Sequence, residues 1–152
     1  MRVGIATDYG GFSVKQELVA ELRAAGHEVV DYGSGGLDFG DDYPDSVIPL
    51  ARAVAAGQVA RGIAVCISGV GACVCSNKVP GVRAGLIHDR FAARQGVEDD
   101  HLNVICLDGR TVIPAVAWNL VKAFLAAEFS GADRHLRRLG KVAVLEAPAA
   151  IG

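Results

Sequence analysis

Apolar, strand-forming segments alternate with helix-forming segments along almost the whole chain, and this alternation limits the possible folds more than any other feature. Two strand segments, Ile63-Ala64-Val65 and Val104-Ile105-Cys106-Leu107, are apolar at every position. A strand without a polar face has to be covered on both sides, as in a parallel sheet between two helical layers. The pattern therefore predicts a doubly wound, Rossmann-like α/β fold with a five-stranded parallel sheet in the order 2-1-3-4-5 and a C-terminal helix.

The boundaries of the predicted elements follow from apolar periodicity and from Gly and Pro positions. Strands are predicted over 2–7, 28–32, 62–67, 82–87 and 103–107, and helices over 13–25, 44–57, 72–77, 88–96, 114–127 and 134–142. Ser13 and Gln16 have the spacing of a capping box at the start of the first helix. We expect one domain over 1–145 and a loose tail over 146–152, which is rich in Ala, Pro and Gly.

Charge and hydropathy exclude several classes of partner. The net charge is −2, so electrostatics favours neither nucleic acid nor an anionic membrane. No apolar run is long enough to span a bilayer, and Asp8 follows the N-terminus too soon for a secretory signal. We therefore expect a cytoplasmic protein without nucleic-acid or membrane partners.

The four cysteines do not have the pattern of a disulfide framework or a zinc site. Cys73 and Cys75 are separated by one residue, which is shorter than the usual spacing of zinc ligands, and no second pair matches them. We expect no metal, and we expect Cys73, Cys75 and Cys106 to be small buried apolar residues.

The segment 64–71 is the strongest functional signal. A strand ends there in the thiol of Cys66, the hydroxyl of Ser68 and the glycines Gly69 and Gly71. In an open α/β sheet ligands bind at this end of the strands, and exposed backbone N–H groups can hold an anion. The alternative is a packed small Cys followed by a tight turn. The segment lacks the third glycine of a dinucleotide fingerprint and the Gly-Lys-Ser/Thr of a P-loop.

Other polar residues follow strands that end at the same edge. They are Asp8, Tyr9, Tyr43, His88, Asp108 and Arg110, whereas Glu98-Asp99-Asp100-His101 enters the fifth strand at its opposite end. Arg134 and Arg138 are four residues apart, so they share one face of a helix and suit a phosphate dianion. The alternative is that these arginines only complement the helix dipole.

Several dispersed stretches together resemble one family. They are Ile5-Ala6-Thr7-Asp8-Tyr9-Gly10-Gly11-Phe12, Asp42-Tyr43-Pro44-Asp45, Cys66-Ile67-Ser68-Gly69-Val70-Gly71, Asn77-Lys78-Val79-Pro80-Gly81-Val82-Arg83-Ala84, Gly109-Arg110 and Arg134-His135 to Arg138. In this order they resemble the ribose-5-phosphate isomerase B family, which includes the galactose-6-phosphate isomerase subunits. The resemblance extends from Met1 to about Ala143.

The resemblance implies a cofactor-independent isomerase of a phosphorylated sugar, acting on ribose 5-phosphate through an enediolate, with Cys66 as the base. It implies a homodimer or homotetramer with shared active sites. Ser68, Asp99 and His101 complete the implied catalytic group, with Asp8, Asp99 and His101 as candidates for ring opening. The implied substrate-binding residues are Asp8, Tyr9, Tyr43, Ile67, Gly69, Val70, Gly71, Asp100, Arg110, Arg134 and Arg138. An N–H-rich loop beside Cys66 predicts a lowered thiol pKa.

The sequence also departs from the family pattern. Tyr9 replaces a histidine, Ile67 a glycine, and Asp99-Asp100 a His-Asn pair, while Asp108 and Ile113 occupy positions that are usually small. A β-branched Ile67 would be strained if the position required a positive φ. These departures favour a shifted substrate, reduced activity or a non-catalytic phosphosugar-binding paralogue. A flavodoxin-like nucleotide or redox domain is a third interpretation, by fold analogy alone.

Overall fold

Five strands form one parallel sheet in the protein, of which a computed structural model describes residues 1–33 and 35–147. The strands are β1 (Arg2–Thr7), β2 (Glu28–Asp31), β3 (Arg61–Cys66), β4 (Ala84–Leu86) and β5 (Val104–Asp108). The helices are α1 (Phe12–Ala24), α2 (Tyr43–Ala55), α3 (Val70–Ser76), α4 (Arg90–Asp100), α5 (Pro114–Ala126) and α6 (Asp133–Ala143), with short 3-10 turns at Tyr9–Gly11 and Val144–Glu146. The predicted α/β fold class is confirmed.

The strand order is β2-β1-β3-β5-β4, so the predicted order was wrong in its last two positions. Residues Val104 to Leu107 of β5 have no exposed surface, whereas all three residues of β4 are partly exposed. A strand that is buried on all sides needs two neighbouring strands, while a short, partly exposed strand suits the edge. The chain therefore passes from β3 to the edge and returns through α4 to insert β5.

The two faces of the sheet carry side chains of different size. Val3, Ile5, Ile63 and Val65 point towards α1, α4 and α5, whereas Gly4, Ala6, Gly62 and Ala64 point towards α2 and α3. Small residues allow α2 to lie close to the sheet, because a Cβ at Gly4 would come within 2.5 Å of Leu50 Cδ1. Since side chains alternate along a strand, Cys66 and Cys106 lie on the α2 and α3 side.

Some predicted helix ends differ from the structure. α4 continues through Gly96 to Asp100, so Asp99 and Asp100 are helical. α1 begins at Phe12 without a side-chain cap, and the predicted Ser13–Gln16 capping box does not form; Asp8 instead caps the preceding 3-10 turn. In the predicted tail, Glu146 Oε2 accepts a hydrogen bond from Gly81 N at 3.0 Å, and 148–152 lie outside the described residues.

No helix within 1–33 and 35–147 combines the length and the apolar character needed to cross a membrane.

Candidate active site

A cavity of about 290 Å³ opens at the carboxyl ends of β1 and β3. The chain leaves these neighbouring strands towards opposite faces of the sheet, through α1 and α3, and such a divergence is where open α/β sheets bind ligands. The residues that line the cavity are Asp8, Tyr9, Asp41, Asp42, Tyr43, Cys66, Ile67, Ser68 and Gly71. The structure thus brings together seven of the residues that the sequence placed in the site.

Cys66 is the last residue of β3 and lies in the wall of this cavity with only 5% of its surface exposed. Burial raises the pKa of its thiol to about 12, the negative charge of Asp8 adds to the increase, and the backbone N–H of Ala72 opposes it. The predicted lowering of this pKa was therefore wrong. Desolvation and a like charge outweigh the N–H donor, so the free protein holds Cys66 as a neutral thiol at neutral pH.

The loop after Cys66 is fixed from both sides by backbone contacts. Gly109 N donates to Cys66 O at 2.7 Å, and Arg110 N donates to Ile67 O at 3.3 Å. Gly69 has φ = 76°, and a Cβ there would lie 2.9 Å from Leu107 O, so only glycine fits. The backbone N–H groups of the first turn of α3, which follows this loop, have no partner within the helix.

Ile67 adopts an ordinary backbone conformation, since its φ is not positive. The strain considered for a β-branched residue at this position is therefore absent. Its side chain lies against Gly10, and it forms part of the cavity wall. The position affects the shape of the cavity rather than the backbone.

Asp8 brings a buried carboxylate into the cavity, with 7% of its surface exposed. Its Oδ1 accepts a hydrogen bond from Gly10 N at 2.9 Å. Burial raises the pKa of Asp8, the Gly10 N–H lowers it, and the charge of Asp41 raises it again. The carboxylate and the Cys66 thiol therefore interact electrostatically inside one partly desolvated space.

Two further carboxylates line the cavity, Asp41 and Asp42, which were not predicted as site residues from the sequence. Asp41 Oδ1 accepts a hydrogen bond from Tyr9 N at 3.2 Å, and the Tyr9 ring lies 5.7 Å from the ring of Phe39. These contacts fold the segment before α2 over the end of β1. The Asp-rich composition of that segment was the available signal, but a loop pattern does not show where the loop folds.

Asp108 and Arg110 lie at the same edge because Asp108 is the ladder partner of Cys66. The Asp108 carboxylate accepts hydrogen bonds from the Thr111 hydroxyl at 2.6 Å and from Arg110 N at 2.9 Å. The Thr111 hydroxyl bond lowers the pKa of Asp108, and the backbone N–H groups of Thr111 and Arg110 act in the same direction. Asp108 therefore shapes the turn that presents the exposed Arg110.

The other predicted residues do not reach this cavity within one chain. Asp99, Asp100 and His101 precede the amino end of β5, and the register of β3 with β5 separates that level from Cys66 by at least about 13 Å. Asp99 is engaged by Gln95 Nε2 at 2.7 Å and by His135 Nε2 at 3.4 Å.

His101 ends α4 with φ = 53°, and its ring stacks on Phe129 at 4.5 Å. Burial lowers its pKa, and the charges of Arg83 and Arg61 lower it further. Arg134 and Arg138 lie in α6, where both are exposed.

Within the described part of the chain, no three His, Cys, Asp or Glu side chains are grouped in a way that could hold a metal ion. The chemistry available at the cavity is that of a thiol, three carboxylates, a hydroxyl, two phenols and backbone N–H groups.

Comparison with known proteins places these features in a family. The model of the Ribose/Galactose Isomerase family matches residues 3–142. Ribose-5-phosphate isomerase B from Mycolicibacterium paratuberculosis is 36% identical over 146 residues, covering 96% of this chain and 92% of that protein.

Two solved structures are also closely similar. A Clostridium thermocellum ribose-5-phosphate isomerase B superposes with a TM-score of 0.92 at 38% identity, covering 96% of this chain and 97% of the other. The Mycoplasma genitalium ribose-5-phosphate isomerase B, solved with bound ribulose-5-phosphate, superposes with a TM-score of 0.90 at 36% identity and 95% coverage of both chains.

Proposed function

The chain belongs to the Ribose/Galactose Isomerase family, and we propose that it interconverts ribose 5-phosphate and ribulose 5-phosphate as an aldose–ketose isomerase without a metal or organic cofactor. One observation carries the proposal: Cys66 lines a cavity at the divergence of β1 and β3, next to a loop rich in backbone N–H groups. Isomerisation needs a base near the carbon that loses its proton and donors near the oxygens that become negative.

In this mechanism Cys66 moves the proton between C1 and C2 of the open-chain sugar. The backbone N–H groups of 67–71 hold the enediolate oxygens, and the Ser68 hydroxyl lies beside them at the cavity. Oriented donors of this kind contribute on the order of 3–4 kcal/mol to transition-state stabilisation. Tyr43 forms part of the wall next to this loop, because its ring packs so closely on Gly71 that a Cβ there would lie 2.7 Å from Tyr43 Cζ.

Substrate binding has to activate the neutral Cys66 thiol. The charge of Asp8 is one of the two main causes that keep this thiol protonated. A sugar hydroxyl that donates to Asp8 weakens that repulsion, and an arginine at the substrate phosphate adds a favourable positive charge. Thiolate formation is thereby coupled to occupancy of the cavity.

The cavity as formed by one chain has the wrong charge for a phosphate. Of its nine lining residues three are aspartates and none is Lys or Arg. Arg110 is exposed at the same edge, whereas Arg134 and Arg138 project from α6 elsewhere on the molecule. We infer that a second copy of the chain brings Arg134 and Arg138 to this cavity. The exposed Leu136 and Val142 of α6 supply apolar surface for such an assembly.

Mixing two inactive variants tests the shared site. The Cys66→Ala chain keeps its arginines, and the chain with Arg134→Ala and Arg138→Ala keeps its thiol. If sites are shared, mixed assemblies contain one complete site and recover activity, while each variant alone is inactive. Light scattering that shows only monomers, or mixtures without recovered activity, would contradict the inference.

Turnover is tested with ribose 5-phosphate in deuterated water. We expect ribulose 5-phosphate to form and deuterium to enter at the carbon that exchanges its proton. Absence of both turnover and exchange with every aldose phosphate of four to six carbons would overturn the isomerase proposal.

A phosphosugar-binding protein of the same fold is the second candidate. It is favoured by the distance of Asp99 and His101 from the cavity, which leaves Asp8 as the nearest group for ring opening within one chain. Calorimetric binding of ribose 5-phosphate without turnover would support it, and activity that appears only after Ile67→Gly and Tyr9→His would decide for it.

Cytoplasmic location remains a prediction, which cell fractionation tests.

A further inference from the structure

The four cysteines, all free thiols, form a cluster beneath and within α3. Cys66 and Cys106 project from neighbouring strands onto the same face of the sheet, and Cys73 and Cys75 lie on the helix that covers them. Cys106 has no exposed surface, whereas Cys73 and Cys75 are half-buried. The expectation of a small buried apolar residue is confirmed for Cys106, whereas Cys73 and Cys75 pack against the core but are only partly buried.

Cys73 and Cys106 are close enough for each thiol to influence the ionisation of the other. Cys73 packs against the core cluster that contains Cys106, and its Sγ lies 3.6 Å from Ala84 O in β4, the strand that pairs with β5. Asn77 Nδ2 lies 3.7 Å from Cys73 Sγ and can donate to it. Cys73 thus has the Asn77 amide as a polar donor to its sulfur and a second thiol, Cys106, in the cluster that it packs against.

We propose that Cys73 and Cys106 are a redox-active pair that forms a reversible disulfide when a peroxide reaches the half-buried Cys73. The thiolate of Cys73 attacks one peroxide oxygen and gives a sulfenic acid, and the hydroxide that leaves combines with the proton released by the Cys73 thiol to form the first water molecule. The sulfur of Cys106 then attacks the sulfenic sulfur, its proton leaves with the second hydroxide as water, and the disulfide forms. Two thiols and one hydrogen peroxide give one disulfide and two water molecules, and a dithiol reverses the reaction.

Among the four thiols of the cluster, electrostatics favours Cys73 as the one that reacts first with peroxide. The hydrogen bond from Cys106 lowers the pKa of Cys73 to about 7, against the effect of burial, and Asn77 acts in the same direction. The same contact and burial raise the pKa of Cys106. Burial raises the pKa of both Cys66 and Cys75. Because the thiolate is the nucleophile, Cys73 reacts first and Cys106 is the resolving thiol.

Formation of the bond requires α3 to shift towards β5, because an S–S bond is about 2 Å long. α3 also carries Gly71, which lines the cavity. The modification itself does not depend on the proposed isomerase activity, so its test uses covalent readouts and no substrate.

The test treats the reduced full-length chain with hydrogen peroxide, removes the peroxide, and then blocks free thiols with iodoacetamide in urea, so that buried thiols also react. We expect two of the four thiols to escape alkylation. Without reduction, the tryptic peptide 62–78, which contains Cys66, Cys73 and Cys75, should be linked to the peptide 95–110, which contains Cys106. A dithiol should restore all four thiols.

Single variants identify the partner of Cys106. Cys73→Ser should abolish the link and Cys75→Ser should leave it unchanged, and Cys106→Ala should leave a sulfenic acid on Cys73 that dimedone traps. Circular dichroism identifies any variant that does not fold. If one fails to fold, the wild-type and Cys75→Ser chains still show whether the link forms. Absence of the link in wild type, or its persistence in Cys73→Ser, would overturn the proposal.

Discussion

A side chain at position 10 would overlap the Cγ1 atom of Ile67, because Gly10 and Ile67 lie against each other where the loops after β1 and β3 meet. The same Cβ would also lie 3.0 Å from Ile67 N. The size of residue 67 and the absence of a side chain at residue 10 are therefore coupled, and this contact sets one wall of the cavity.

We expect Gly10→Ala to lower the free energy of unfolding by about 1–3 kcal/mol through overpacking. Turnover should fall with it, because Ile67 has to move in the cavity wall. Adding Ile67→Gly should recover part of the loss, since the side-chain overlap disappears while the tight contact with Ile67 N remains. Urea denaturation and steady-state kinetics measure both effects. Gly35→Ala is the matched control, because a Cβ there meets nothing within 4 Å. Equal stability of Gly10→Ala and wild type would refute the coupling.

Cys66→Ala should lower kcat by roughly 10²–10⁴-fold, the usual contribution of a positioned acid–base group, while binding of ribose 5-phosphate is retained. The reason is that the substitution removes the proposed base and leaves the loop N–H groups in place. Kinetics and calorimetry on the same preparation separate the two quantities. Cys75→Ala, on α3 outside the cavity lining, serves as the control. An unchanged kcat would show that Cys66 is not the base.

Asp8→Asn should lower the pKa of the Cys66 thiol, because the negative charge of Asp8 raises it in the wild type. Asparagine keeps an oxygen that can accept from Gly10 N. Iodoacetamide labelling of Cys66 as a function of pH reports the thiolate, and its rise should occur at lower pH in the variant than in wild type. Labelling of Cys73 should rise near pH 7 in both proteins. An unchanged Cys66 profile would show that Asp8 does not influence the thiol.

The raised pKa of Cys66 also makes the stability of the folded protein fall at high pH. The thiol ionises near 9 when the chain is unfolded and near 12 when it is folded, so the unfolded chain releases its proton first as the pH rises. The contribution of this group to stability is complete below about pH 9 and is lost between about pH 9 and about pH 12. Urea denaturation of wild type should show a steeper decline over this interval than that of Cys66→Ala, and parallel curves would contradict the assignment.

Arg61→Met should lower the free energy of unfolding by about 2–4 kcal/mol, because hydrogen bonds from a charged donor to two backbone carbonyls are lost. Its guanidinium donates to Phe124 O and, at 2.5 Å, to Ala127 O at the end of α5, and it lies over the Phe124 ring. Arg2→Met removes an exposed ion pair with Glu28 and an exposed hydrogen bond to Gln58 O, both open to water, and should cost less than about 1 kcal/mol. Denaturation midpoints compare the two variants, and equal losses would contradict this role of Arg61.

Much of the fold could be predicted from the sequence because it rests on local patterns. Strand β1 was predicted residue for residue, and the continuous apolar run of β5 indicated a strand covered on both faces. Strand order could not be read in the same way. The apolar run requires neighbours for β5 but does not specify which strands they are, so the insertion of β5 between β3 and β4 was missed.

In the site, too, features set by neighbouring residues could be predicted from the sequence, whereas features set by tertiary contacts could not. The composition around Cys66 determined that a thiol, a hydroxyl and a glycine loop follow one strand, since these residues are adjacent in the chain. Only the tertiary structure decided that Asp41 and Asp42 join this cavity, that Asp99 and His101 lie away from it, and that the Cys66 thiol is neutral while Cys73 ionises more easily. The physical reason is that burial and through-space charge depend on residues distant in sequence, whereas strand and helix patterns depend on near neighbours.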